Sequence, residues 1–595
     1  MRFPLLGSSL LVLLAAGAPT VRAADDVERH LERSWQHLVR QRDDLGVREV
    51  MGFALEAAGR DVRREQVTQA IDLLTRFQDR SDDSPTRGNF RWRWDDDKVH
   101  DLNAVEFVVA RGALVQSRFA GRLEPAAQQH LRELLERAGP AALAHRVPVD
   151  YTNIYLLKCW NLIALGEVLS RAPWADEGYR LLAAWIDHTR QVGIVEYSSP
   201  TYYGVDLDAL GLIARFAARP EGRRMGLAGL RYVWTEIAAN WYEPGKRLGG
   251  AHSRDYDYLT GHGELDRHLA RVGWLDAPAP DTIFDQLCAW SPPAELRALS
   301  LRTPRHIAQR WGAQPGHWAQ QYVGRNFSLG VAGATYGNMD KPLAVNLPGG
   351  PKTPIVSFFL DGRDDPYGRK KIATGSGHDK SLHLMPLVAS AMRDQDVLLL
   401  AGDDDQTRKA TKTAKQLTCL RSHVLFPKAA EVWIDDRRET FASSETEIEL
   451  ESASALFLRT GDVVLGIRIP LAQTTRGQPA KVAIVDDGRP WGARRLTCFL
   501  SNERPKGEAL VAVWMRAAEG LDEDGFVRFR KEFRAAKCRA EKLEHGVRVE
   551  AGADERRLRV DLDLKTHESM GDQPPFGPLV VDGRDLGSEA LELRD

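Results

Sequence analysis

The chain reads as an α+β protein made of separate domains, with helices first and an antiparallel β-sandwich second. Residues 27 to about 315 carry apolar side chains at helical spacing, in segments parted by short turns rich in Gly, Pro or Asp. From about residue 320 the pattern changes to short β-rich runs bounded by Gly, Pro and Asp. The change falls within Pro304 to Gln320, which divides the chain into 24–318 and 319–595. A length of 595 residues also exceeds what one ordinary core organises.

Ahead of the helices, Arg2, the apolar run Leu5 to Ala16 and the small-residue end Val21-Arg22-Ala23 have the form of an export signal covering residues 1–23. The run is too short to cross a bilayer, and Asp25-Asp26 follows it. The mature chain is therefore expected to have no membrane span and to work in the periplasm or outside the cell. A net charge of −2 with no basic tail gives no field for nucleic acid. The five cysteines, Cys159, Cys288, Cys419, Cys498 and Cys538, are scattered and contain no CxxC pair. They make neither a disulfide framework nor a cysteine zinc site, and one bridge stays open.

Helical spacing marks Glu124 to Ala138, Tyr155 to Leu169, Glu177 to Gln191, Asp206 to Ala218 and Leu227 to Trp241. Turns such as Arg137-Ala-Gly-Pro140 and Arg171-Ala-Pro-Trp174 separate them. Helical hairpins of this length pack as a bundle, a solenoid or a closed toroid, and no repeat chooses among these.

Four polar clusters punctuate this scaffold. Trp92 and Trp94, in Gly88-Asn-Phe-Arg-Trp-Arg-Trp-Asp95, offer flat apolar rings for a sugar face or for the core. Asn153, in Asp150-Tyr-Thr-Asn-Ile-Tyr155, either helps cap the helix that follows or presents its amide to a carboxylate. Glu196-Tyr-Ser-Ser-Pro-Thr-Tyr-Tyr-Gly-Val-Asp206 combines an acid, a Ser-Pro turn and the adjacent Tyr202 and Tyr203. A phenol has an ordinary pKa near 10, and nearby positive charge would lower it toward a useful base. Gly249-Gly-Ala-His-Ser-Arg-Asp-Tyr-Asp-Tyr258 brings together His252, Arg254 and Tyr256 after a Gly-Gly. Arg254 suits a planar carboxylate or sulfate, or pairs within its own loop with Asp255 or Asp257.

The β-rich runs are Phe327 to Ala332, Pro354 to Leu360, Asp396 to Ala401, Val463 to Ile469 and Leu510 to Trp514. Val547 to Asp563 alternates like a further strand pair, a small sheet of its own. Gly375-Ser-Gly-His-Asp-Lys-Ser-Leu-His383 opens a strand and places His378 where it can reach across the domain boundary, or forms a plain polar turn. His378, Asp379 and His383 fit no strong zinc spacing, and no metal or other cofactor is required by these clusters.

In this order the clusters resemble the heparinase II/III-like polysaccharide lyases and related alginate lyases. Asn153 before Leu162-Ile-Ala-Leu-Gly166 looks like the family's carboxylate-neutralising asparagine. Glu196-Tyr-Ser-Ser-Pro-Thr-Tyr202-Tyr203 looks like its acid, Ser-Pro, Tyr-His segment, with Tyr202 on the catalytic tyrosine. Gly377-His378-Asp-Lys-Ser-Leu and Asp394 to Gly402 look like its histidine-bearing strand pair. Tyr203 stands where the family often has histidine, and the His252-Ser-Arg254 loop is richer than the common pattern. The resemblance implies an N-terminal (α/α) toroid, closed or incomplete, before the sandwich.

It also implies β-elimination on an acidic, uronic-acid-containing polysaccharide. Asn153 with Arg254 or His252 would neutralise the sugar carboxylate, and Tyr202 or His378 would move the protons. Trp92, Trp94, Glu196, Tyr203 and Tyr256 are the expected substrate contacts. A glycoside hydrolase remains open, since Glu196, Asp206, Asp255 and Asp257 could supply the two carboxyl groups it needs. So does a carbohydrate-binding protein without catalysis.

Overall fold

A computed structural model describes residues 21–40, 45–278, 281–370, 383–410, 416–441, 445–489, 491–571 and 577–594. The helical half begins with α1 (Val21–Arg40), then runs through α2 (Val47–Arg60), α3 (Arg64–Phe77), α4 (Ala104–Leu114) and α5 (Pro125–Ala144). It continues with α6 (Thr152–Val168), α7 (Ala172–Val192), α8 (Tyr202–Phe216) and α9 (Pro220–Asn240). Short helices α10 (Asp266–Arg271), α11 (Ile283–Cys288) and α12 (Ala294–Leu301) complete it.

The packing is that of a toroid of helical hairpins. Helices α2, α4, α6 and α8 touch one another in succession, while α3, α5, α7 and α9 back them. Short α11 packs on both α8 and α2 and bridges the ring. Sequence explains which helices lie inside. On α6 every side chain from Thr152 to Gly166 is buried, so it is enclosed all round. On α7 a single stripe, including Ala175, Leu182, Trp185 and Ile186, turns inward. Gly178 lets α7 press on α6: a β-carbon there would sit 2.8 Å from Ile163 N and 3.0 Å from Cys159 O.

The second half is built of antiparallel sheets. A twelve-stranded and a seven-stranded sheet enclose a core that includes Val345, Phe358, Leu399, Leu465 and Val513. The other face of the seven-stranded sheet is covered by the helix Glu523–Ala535 and a four-stranded sheet. That small sheet contains Gly546–Gly552 and Leu558–Asp563, the strand pair expected near the C-terminus.

One expectation needs correction. Strands Arg305–Arg310 and Trp318–Val323 already belong to the large sheet, so the β half begins before residue 319 and Pro304 to Gln320 is folded. Its polar composition hid this. Arg305 is fully buried because its guanidinium donates to the carbonyls of Ala239 (2.9 Å), Ser300 (2.9 Å) and Trp241 (2.5 Å). These bonds tie the sheet to the end of α9. Near the C-terminus, Leu579–Val581 pairs with Arg305–Arg310, and Leu586–Ala590 packs on α9. All five cysteines are free, so the possible bridge does not form. Among the described residues no helix is long and apolar enough to cross a membrane. The expected export signal lies, except for its last three residues, outside the described residues.

Candidate active site

The joint between toroid and sheets gathers three segments: the start of α6, the loop from α7 into α8, and the loop 249–261. The last lies on the large sheet. His252 makes an antiparallel bridge to Lys341, and Gln321 Nε2 donates to Ala251 O at 3.2 Å. Two side chains in these loops sit on backbone in the left-handed region, Ser198 at φ 47° and Arg254 at φ 50°. Such strained non-glycine residues cluster at functional sites.

Asn153 lies in the first turn of α6 and is fully buried. Its Nδ2 donates to Glu196 Oε2 at 2.5 Å, and among the described residues its Oδ1 has no partner. Glu196 is also fully buried. Burial pushes its carboxyl above the ordinary range, against the pull of Arg254, whose Nε lies 3.6 Å from Glu196 Oε1. The Ser199 hydroxyl accepts from Tyr202 N at 3.0 Å and fixes the first turn of α8.

Tyr202 is the meeting point. Arg254 Nη2 donates to its hydroxyl at 2.7 Å, and the Tyr256 hydroxyl stands 2.8 Å away. The Arg254 guanidinium also covers the Tyr202 ring at 4.7 Å. The expected downward shift of this phenol is not found: burial raises it well above 10, outweighing Arg254. In the free protein Tyr202 is therefore a neutral phenol.

Three residues that the sequence did not single out complete the rim. Tyr151, two residues before Asn153, accepts from Asn103 Nδ2 at 3.3 Å and feels the charges of Arg254 and Glu196. From the sheet half, Tyr336 lies 6.0 Å from the Arg254 guanidinium. Asp340 accepts backbone bonds from Arg254 (3.2 Å), Tyr336 (2.5 Å) and Gly337 (3.1 Å), and burial lifts it to about 6. No local motif marks Tyr336 or Asp340, because only sheet pairing brings their loop to the joint.

Other candidates lie elsewhere. Tyr203 is fully buried and turned away from the rim; it donates to Glu236 and accepts from Ser198 N at 2.8 Å. One helical residue beyond Tyr202, it points about 100° around α8. His252 is buried and held between Gly250 O (2.9 Å) and Asp255 Oδ2 (3.0 Å), so it braces the Arg254 loop. Trp94 packs edge-on against Phe77 in the helical core. Trp92 packs on Phe107 and also lines a cavity of about 870 Å³ within the ring of helices. His378 falls outside the described residues. Among those described, no three His, Cys, Asp or Glu side chains are placed to share a metal ion.

Residues 61–262 match the model of a family described as a domain of unknown function, DUF8769. That stretch contains Asn153, Glu196, Tyr202, Arg254 and Tyr256. No curated protein matches the chain. Solved structures similar to it include a chondroitin AC lyase from Streptomyces coelicolor A3 in complex with chondroitin sulphate: 11% identity over 92% of this chain and 91% of that one, TM-score 0.44. A heparinase III is 10% identical over 91% and 90%, with a TM-score of 0.37. A chondroitinase AC lyase is 9% identical over 90% and 100%, with a TM-score of 0.35.

Proposed function

We propose that the protein is a polysaccharide lyase that cleaves a uronic-acid-containing glycan by β-elimination. The observation that carries this is the Tyr202 phenol, bonded by both Arg254 and Tyr256 and flanked by the Asn153–Glu196 pair.

In that reading the sugar carboxylate binds between Arg254 and the Asn153 amide. Arg254 Nε, buried 3.6 Å from Glu196 Oε1 and without a hydrogen-bond partner among the described residues, can donate. Glu196 in its neutral form can also donate, whereas ionised Glu196 would repel the sugar. These donors stabilise the negative charge that develops on C5 and its carboxylate as the C5 proton leaves. For that step the Tyr202–Tyr256 pair first gives up one proton to solvent, with Arg254 stabilising the single negative charge left on the two oxygens; Tyr202 then takes the C5 proton and becomes a neutral phenol again. The bond from C4 to the leaving O4 then breaks, a C4–C5 double bond forms, and the phenol pair returns a proton to O4.

The disposition of carboxyl groups disfavours hydrolysis, which needs two of them flanking the bond. Asp206 is fully buried, and among the described residues neither of its oxygens has a hydrogen-bond partner. Asp255 holds His252, and Asp257 accepts from Leu259 N, Thr260 N and His262 N. Of Asp206, Asp255, Asp257 and Glu196, Glu196 alone joins the tyrosine cluster, and Asp340, the other acid at the rim, has its two oxygens taken up by the backbone N–H groups of Arg254, Tyr336 and Gly337.

The test is incubation with a panel of uronic-acid polysaccharides, following ultraviolet absorbance and product mass together. Unsaturated products are expected. Saturated products two hydrogens and one oxygen heavier would mean hydrolysis, and saturable binding without cleavage would mean a binding protein. The polymer that reacts names the substrate, and its occurrence bears on the expected periplasmic or secreted site of action.

A further inference from the structure

Directly beneath the tyrosine cluster lies the cavity inside the helical ring. Helical spacing places it there. Leu157, four residues after Asn153, and Val205, three after Tyr202, both line it. Residues three and four apart share a helix face, so the cavity continues the faces that carry Asn153 and Tyr202. Its volume, about 870 Å³, is within the range that holds a small organic ligand or a short oligosaccharide.

Charge inside this lumen is uneven. Arg267 bonds Asp208 and Asp285 and pairs with Glu264 at 3.3 Å. Glu56 is bonded by Arg60 (2.6 Å) and Ile283 N (2.7 Å), and Glu49 by Gly46 N (3.2 Å). These acids are thus engaged. Among the described residues neither Arg48 nor Arg111 has a carboxylate within ion-pair distance, and Arg111 Nη1 donates only to Phe107 O, at 3.4 Å. Each lies on an aromatic face instead, Arg48 at 4.4 Å over Phe107 and Arg111 at 4.1 Å over Phe284. Burial and then the field of Arg48 push Arg111 down to about 10, against the field of Asp208, so two guanidinium groups without an ion pair stand close together in the lumen. Burial pushes Arg48 down, and the fields of Glu264 and Asp208, with a smaller one from Tyr202, act against it. Trp92 supplies an apolar wall beside them.

We propose that this lumen is an acidic-sugar subsite, in which Arg48 and Arg111 bind the carboxylate or sulfate ester of a residue neighbouring the one cleaved. Trp92 and Phe107 cover its apolar face. The inference rests on the elimination reading for its substrate class, but its chemistry is testable by binding alone.

Arginine labelling of the wild-type full chain with phenylglyoxal, read by peptide mass spectrometry, is the direct test. Protection of Arg48 and Arg111 is expected from acidic tetrasaccharides and not from the carboxyl-reduced, unsulfated counterpart. Comparing sulfated and unsulfated uronate tetrasaccharides separates sulfate from carboxylate recognition. Equal labelling with and without acidic sugar, or no labelling in the free protein, overturns the subsite. In turnover, Arg48→Gln and Arg111→Gln should each raise KM on the reactive polymer about tenfold or more, as loss of a charge-assisted hydrogen bond does. Unsaturated product formed with KM unmoved by both substitutions sinks the subsite and leaves elimination standing. Protection by acidic tetrasaccharides with no polymer cleaved leaves the subsite standing and sinks elimination.

Discussion

The hydroxyls of Tyr202 and Tyr256 meet at 2.8 Å, although one begins α8 and the other lies in the loop that rests on the sheet. Their rings are edge to face, with centroids 6.1 Å apart at 78°. Arg254, two residues from Tyr256, reaches both hydroxyls, at 2.7 and 3.4 Å. A guanidinium presents several donors in a fixed plane, so one side chain can hold two phenols in line. Proton movement at this joint is therefore a property of the pair.

The two tyrosines should fail differently. Tyr202→Phe removes the oxygen that faces substrate and should lower kcat by about 100- to 10,000-fold, the usual range for a general acid or base. Tyr256→Phe leaves Arg254 on Tyr202 and should lower kcat by only about tenfold. Initial rates of ultraviolet absorbance change decide this, with melting temperatures to confirm folding. Equal losses would mean that the pair does not act in the order given.

Glu196 gives a pH signature. Burial raises its folded pKa, so it stays neutral to higher pH than a free carboxyl. As pH rises through that raised value the group ionises and repels a bound uronate. Activity should therefore fall on the alkaline side through KM. Glu196→Gln keeps a neutral donor and should flatten that limb. A limb unchanged in Glu196→Gln would assign it to another group.

Arg254→Lys should be no conservative change. A lysine ammonium is a compact charge on a flexible stem and cannot reproduce the planar contacts to Tyr202, Tyr256 and the approach to Glu196. A loss of about 100-fold in kcat/KM is expected, with the melting temperature little altered. Near-normal turnover would show that charge alone suffices.

Much of this arrangement was legible in the sequence, for identifiable reasons. Helical spacing found α5 to α9, and short β-rich runs bounded by Gly, Pro and Asp found the strands around Val356 and Val463. The Glu196–Tyr202 turn and the His252–Tyr256 loop were conspicuous because their polar residues adjoin in sequence. What stayed hidden depends on pairing at a distance. Arg305 looks like a residue between the two halves until the carbonyls ending α9 surround it. Tyr336 and Asp340 join the site only through the sheet. The direction of Tyr203 follows from helix geometry once α8 is known to start at Tyr202, earlier than periodicity alone suggested. The upward shift of Tyr202 was missed because burial, which sequence does not give, outweighs Arg254.

Buried acids behind the site should make the fold most stable at mildly acidic pH. Glu236, fully enclosed, is raised by burial from 4.5 to about 7. The folded state then binds the proton more tightly than the unfolded chain, so stability falls as pH rises from about 4.5 through about 7. By pH 8 the loss is about 3 kcal/mol, from a shift of this size. Asp206 is displaced upward by burial too and adds in the same direction. Glu236→Gln should therefore melt increasingly above the wild type between pH 5 and pH 8. Melting curves that run parallel across that range would contradict the assignment.

Gly330 tests how far the sheet positions the catalytic loop. It lies in the strand Ser328–Ala332, and a β-carbon there would stand 2.8 Å from both Ala251 N and Gly250 Cα. These are backbone atoms of the loop that carries Arg254, pinned by the His252–Lys341 bridge on one side and the Gln321 bond on the other. They can relieve the overlap only by moving away from the sheet. Gly330→Ala should then destabilise the protein by about 1–3 kcal/mol, as overpacking of a well-filled interior does. It should also reduce kcat/KM by up to about 100-fold, because a displacement near 1 Å is enough to misalign reacting groups. Gly121→Ala, where the added methyl meets nothing within 4 Å, serves as the comparison. Loss of stability in Gly330→Ala with turnover intact would show that Arg254 keeps its place without the sheet beneath it.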